Sequence, residues 1–131
     1  MKNHFEKFLK SSFGLEIRSK GKIVARSKKA GIKGLVDFIK KHNRRLKDLI
    51  IFDKTVGRGV ALLSVYLKAK AVYGKTGSKL ASKAFKKYKI KFYFNKTIPH
   101  ILNKKGDGLC PFEKLSLDRK PKEFYSLVKN N

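Results

Sequence analysis

Acidic residues are scarce in this chain: 9 Asp+Glu stand against 34 Lys+Arg in 131 residues, a net charge of +25. Cysteine is nearly missing. The one thiol, Cys110, excludes an internal disulfide, and the scattered His4, His42 and His100 leave no spacing that holds zinc. Long apolar runs are absent as well. The longest, Gly59 to Leu67, is broken by Ser64 and falls short of the ~20 residues a membrane span needs. Met1 to Phe13 is charged every few residues and lacks the apolar segment of a signal peptide. The expectation is a soluble, reduced, cytoplasmic protein with no membrane partner, no metal and no cofactor.

There is nevertheless enough apolar material for a core, with 41% hydrophobic residues including ten Phe and five Tyr. That excludes a disordered basic tail. The length suits one domain over 1–131, with a helix in 1–13 and the core in 14–131. Lys outnumbers Arg 28 to 6, which a biased genome composition can produce; the shortage of acids it does not explain. Between Lys54 and Gly106 there are thirteen Lys, one Arg and no acid. Such a stretch repels itself unless an anion is near. Nucleic acid is the commonest such partner; ribosome association, an anionic membrane surface or polyphosphate satisfies the same electrostatics, and a merely solvated surface is the alternative.

The apolar pattern sets the order of elements. Lys2 to Lys10 reads as a short amphipathic helix. Leu15–Arg18 and Ile23–Arg26 read as strands joined by a turn in which Gly21 supplies a positive φ. Gly31 opens a helix with Ile32, Leu35, Val36 and Ile39 on one face. Leu49–Phe52 is a buried strand, Val60–Leu67 a buried helix and Ala69–Tyr73 a strand. Ser78–Tyr88 is an amphipathic helix and Lys91–Phe94 a last strand, followed by a loop and short helical pieces. Strand–helix–strand units make right-handed crossovers. The expected fold is therefore a three-layer α/β/α sandwich on a mixed, mostly parallel five-stranded sheet that opens with a β-hairpin.

Three segments carry candidate chemistry. On the helix from Ser78, the lysines Lys79, Lys83, Lys86 and Lys87 gather opposite the apolar side with no Glu among them, which suits a polyanion-facing surface or a plain solvated one. Asp53-Lys54-Thr55-Val56-Gly57-Arg58-Gly59 joins a buried strand to a buried helix, where open α/β sheets bind ligands. There the glycines either admit a phosphate to the backbone or permit tight packing. Cys110-Pro111-Phe112-Glu113 has the grammar of a helix start, and its thiol is either a nucleophile, with His100 as a conceivable base, or a small turn residue. Gly74-Lys75-Thr76 lacks the earlier glycine of a P-loop, since Ala69 stands there, and is excluded as a triphosphate site.

Taken together, Asp53-Lys54-x-Val56-Gly57-Arg58-Gly59-x-Ala61, Ser78 opening a helix, and Asn103-x-x-Gly106-x-Gly108-x-Cys110-Pro111-x-Glu113 resemble a small prokaryotic family of stand-alone, uncharacterised domains. The resemblance runs from Leu15 to Leu127. It implies a cytidine-deaminase-like fold with a pocket at the helix starts near Gly31 and Asp53. Zinc enzymes of that fold carry His-x-Glu and Pro-Cys-x-x-Cys, where this chain has Gly31-Ile32-Lys33 and Thr55-Val56-Gly57-Arg58. Without those ligands there is no activated hydroxide for deamination. Two expectations follow. One is a zinc-less module binding a nucleotide or nucleic acid through Gly31, Asp53, Lys54, Gly57, Arg58, Gly59, Ser78, Asn103 and Glu113. The other is an enzyme with Cys110 as nucleophile and Asp53 and Glu113 as acid/base groups, acting on a small phosphorylated or nucleoside-derived substrate.

Overall fold

A computed structural model describes residues 1–130. The elements run α1 (Lys2–Lys10), β1 (Leu15–Ser19), β2 (Lys22–Ser27), α2 (Lys33–His42), β3 (Leu49–Val56), α3 (Arg58–Tyr66), β4 (Ala71–Ser78), α4 (Lys79–Tyr88), β5 (Lys91–Ile98), α5 (Pro111–Ser116) and α6 (Pro121–Val128). The hairpin turns where Lys20 and Gly21 both take positive φ, +51° and +82°, the backbone twist that a two-residue hairpin loop favours.

The strands form one sheet in the order β2-β1-β3-β4-β5. β1 runs antiparallel to both β2 and β3, while β3, β4 and β5 are mutually parallel. The hairpin thus does more than add an antiparallel edge. Its first strand is buried inside the sheet, and β2 is the edge. Each parallel connection crosses the same face, because every crossover is right-handed and steps in the same direction along the sheet. That face carries the main core, in which Leu35, Ile39, Ile51, Leu62, Leu63, Phe85 and Phe124 are buried. On the opposite face α1 packs Phe5 and Phe8 on Ile50, Phe52 and Ala71, with Phe13 beside them.

Three strands run longer than the apolar pattern indicates. The ladder continues past Phe52 through Asp53, Thr55 and Val56, paired with Gly74, Thr76 and Gly77. Backbone pairing does not need apolar side chains, so polar and glycine positions hid these strand ends. The glycines have a packing reason. A Cβ on Gly77 would stand 2.3 Å from Phe94 ring atoms, and Phe94 is itself packed against Phe85 and Phe92. Gly77→Ala is therefore expected to lower stability by about 1–3 kcal/mol through overpacking. A urea midpoint unchanged from the parent would show that the ring moves aside freely.

Candidate functional site

A cavity of about 440 Å³ opens where the carboxyl end of β3, the starts of α3 and α5, and the turn before α2 converge. Alternation along β3 decides what it contains. Ile51 joins the main core while Phe52 packs beneath α1, so Asp53 returns to the helix-covered side and lines the cavity. Its carboxyl is only 7% exposed. One oxygen, Oδ1, accepts the Thr55 backbone N–H at 3.0 Å, and no hydrogen bond among the described residues reaches the other. Burial pushes this carboxyl from its ordinary 3.8 up to about 8, against the opposing pull of the Thr55 N–H and the Lys54 charge. At neutral pH Asp53 is therefore mostly a neutral acid that can both donate and accept.

Aromatic and cationic groups frame the opening. Gly31, at φ +64°, lets the turn before α2 lie against Phe112, whose Cε2 stands 3.4 Å from where a Cβ would be. Phe13 lines the cavity too, with the Lys28 ammonium 5.4 Å from its ring centre. Lys29 pairs with Asp37, whereas no acid pairs with Lys28 among the described residues. The helix start at α2 carries no side-chain cap.

Glu113 has a different role. It is 2% exposed, and its Oε1 accepts the Arg58 N–H at 2.6 Å and the Ser78 hydroxyl at 3.1 Å. Its Oε2 accepts the Ile101 N–H at 2.5 Å. This carboxylate from α5 therefore caps the positive end of α3 and fastens Ser78, the N-cap of α4, to the same point. Among the described residues, no three His, Cys, Asp or Glu side chains gather as a metal-binding group. Glu113 already has donors on both oxygens, so the cavity's donor set does not fit a zinc ion.

The family model described as TM1506, domain of unknown function (DUF1893), matches residues 5–131. This chain belongs to the DUF1893 family. A crystal structure of the DUF1893 family protein TM1506 from Thermotoga maritima is similar to it, at 31% sequence identity and a TM-score of 0.88. That match covers 98% of this chain and 87% of the Thermotoga chain. No curated protein matches.

In this DUF1893 chain the residues singled out from sequence are partly brought together. Gly31, Asp53, Lys54, Gly57, Gly59, Cys110 and Glu113 all line the cavity. Lys54, however, sends its ammonium to the α1 side, where it donates to the Ser11 carbonyl at 2.8 Å and stands 4.9 Å from the Phe8 ring centre. Arg58 turns away, donating through Nη2 to the Arg119 carbonyl at 3.3 Å. Ser78 is completely buried behind Glu113. Asn103 closes its own loop by accepting the Gly106 N–H at 2.8 Å. His100 is exposed and does not line the cavity that holds Cys110.

The two glycines of the α3 turn have their space filled by the chain itself. A Cβ on Gly57 would stand 3.1 Å from Glu113 Oε1, and one on Gly59 would stand 3.0 Å from Phe124. Lys79, Lys83, Lys86 and Lys87 are exposed on α4, which packs on α3, and none of them lines the cavity. Phe13, Lys28 and Phe112 escaped the sequence reasoning. Phe112 was within view as the unassigned position of Cys-Pro-x-Glu. Phe13 and Lys28 stand among short polar segments, and only the fold brings them to Asp53.

Proposed function

We propose that this domain is a zinc-less member of the cytidine-deaminase-like fold that binds a small nucleotide-like ligand in the Asp53 cavity. The strand order β2-β1-β3-β4-β5 and the convergence of helix starts on one cavity support the fold assignment. The observation that carries the ligand class is the buried Asp53 carboxyl, with one oxygen left for a ligand. With Oδ1 held by the Thr55 N–H, the free oxygen of the neutral carboxyl can donate its O–H to a ring nitrogen of a nucleobase edge, and Oδ1 has a second lone pair for the neighbouring amino group. Phe13 and Phe112 supply apolar walls, and the cavity volume falls within the range of small-molecule sites. In this proposal the phosphate lies toward Lys28 and the uncapped start of α2, because Glu113 already takes the Arg58 N–H at α3.

Cys110 reports on occupancy, since it lines the same cavity. A bound nucleoside monophosphate is expected to slow alkylation of Cys110 by iodoacetamide in proportion to its saturation. Asp53→Ala should remove that protection. Alkylation rates that no nucleotide changes would count against the proposal. That Cys110 lines the same cavity as Asp53 also supports the second proposal, a thiol nucleophile acting on a small phosphorylated or nucleoside-derived substrate. The two differ in what Cys110→Ser does. The binding module keeps its affinity, whereas the enzyme loses turnover and any covalent adduct.

A further inference from the structure

The face of the sheet opposite the cavity is only partly covered, and what it leaves open is chemically distinctive. Helix α1 packs on β3 and β4 through Phe5 and Phe8 and meets β5 only at its near edge, where the Phe5 ring stands edge-on to Tyr93 with ring centres 6.2 Å apart. Tyr73 and Tyr93 are direct partners in the β4–β5 ladder, with ring centres 6.3 Å apart, and Tyr93 is 53% exposed. Together with Phe5, Leu9, Lys2 and Asn95 they line a shallow cleft of about 410 Å³. Strand alternation puts Lys91, Tyr93 and Asn95 on this face, and Lys75 beside Tyr73 on the neighbouring strand. Lys2, Lys75 and Lys91 are exposed and make no ion pair among the described residues, while Glu6 is the one acid in the cleft.

We propose that this open β4–β5 face is a docking surface for single-stranded nucleic acid, with the exposed Tyr93 ring stacking a base, the half-buried Tyr73 ring, held by Phe5 and Phe52, backing it, and Lys2, Lys75 and Lys91 meeting phosphates. An exposed aromatic ring on a sheet, flanked by lysines, suits an unpaired strand: it offers a flat partner for an unstacked base, with cations spaced beside it. A duplex keeps its bases stacked inside and cannot use the rings. Charge settles the choice of occupant. At +25 per chain, a second copy of this protein would bring like charge to the same face, whereas a polyanion relieves it. The surface lies across the sheet from the Asp53 cavity, so it stands or falls independently of any ligand there.

The test is a titration of the full chain with a fluorescein-labelled dodecamer of single-stranded DNA and with its duplex, read by anisotropy at several salt concentrations. Tyrosine emission gives a second reading, because the chain has five Tyr and no Trp to obscure quenching by stacked bases. The single strand is expected to bind more tightly than the duplex and to quench tyrosine. Tyr93→Ala should weaken that binding ~10-fold and Tyr93→Phe should restore it, since stacking needs the ring and not the hydroxyl. Replacing Lys75 and Lys91 by Ala should weaken binding and flatten its salt dependence more than replacing Lys83 and Lys87, which removes the same charge from α4. Equal affinity for duplex and single strand, Tyr93→Ala binding like the parent, or a dimer that Tyr93→Ala dissolves would each overturn the proposal.

Discussion

Asp53→Asn is expected to stabilise the fold by roughly 3–5 kcal/mol at pH 9 and by little at pH 4. The sign follows from burial. The unfolded chain releases the Asp53 proton near its ordinary 3.8, whereas the folded chain holds it up to about 8. Below pH 4 the group is neutral in both states and costs nothing extra. As pH rises through that window the folded state keeps a proton the unfolded state has lost, so stability falls until the folded carboxyl also ionises near pH 8. The gap sets an upper bound of about 6 kcal/mol on the penalty, at ~1.4 kcal/mol per pH unit. Asn keeps the shape, and its amide oxygen can still accept the Thr55 N–H, but it has no charge to bury. Urea unfolding of both proteins from pH 4 to pH 9 checks this. Curves that diverge as pH rises are expected, and curves that stay parallel would mean the carboxyl is solvated. A group that weakens the fold under neutral and alkaline conditions and touches one backbone N–H is what the proposed ligand role expects.

Glu113→Ala carries the opposite expectation, a loss of about 3–5 kcal/mol at neutral pH. The substitution leaves the Arg58 and Ile101 N–H groups without their acceptor and frees the Ser78 hydroxyl in a completely buried position. It also removes the negative charge from the start of α3. Glu113→Gln should cost less, since one amide oxygen can still accept from Arg58 and Ser78 while the amide nitrogen faces the Ile101 N–H. Urea midpoints, together with faster amide hydrogen exchange at Arg58 and Ile101, would show the effect locally. A loss of under 1 kcal/mol would mean that water replaces the carboxylate readily. The pair Asp53 and Glu113 thus separates two carboxyls of one cavity, one with a single backbone partner and one that holds three elements together.

The fold was legible where side chains follow a period. Ile32, Leu35, Val36 and Ile39 mark α2, and Leu49 to Phe52 marks the buried part of β3, so the α/β order and the five-stranded sheet follow from the sequence. Strand ends were not legible at Asp53–Val56 or Gly74–Ser78, where the ladder runs through polar and glycine residues. The cavity was foreseeable in outline, because Gly31, Asp53 and Cys110 lie at element boundaries that a strand-to-helix crossover brings to one end of the sheet. The division of labour inside it was not. From sequence Glu113 belongs to the start of its own helix, yet it caps α3, 55 residues away in the chain. The glycines after Val56 look equally suited to a phosphate or to packing until Glu113 and Phe124 are seen against them. The partly open far face of β4 and β5 follows from three crossovers landing on the other side, a property of topology that no local pattern carries.

The most direct test of a ligand site at Asp53 is a titration of the ¹⁵N-labelled protein with nucleoside monophosphates, followed by amide chemical shifts. Saturable shifts are expected at Gly31, Ile32, Asp53, Thr55 and Cys110, with little change on α4 or β5, and Asp53→Asn should weaken the response. Shifts confined to α4 or to the β4–β5 face, or none that saturate, would contradict a ligand site at this cavity.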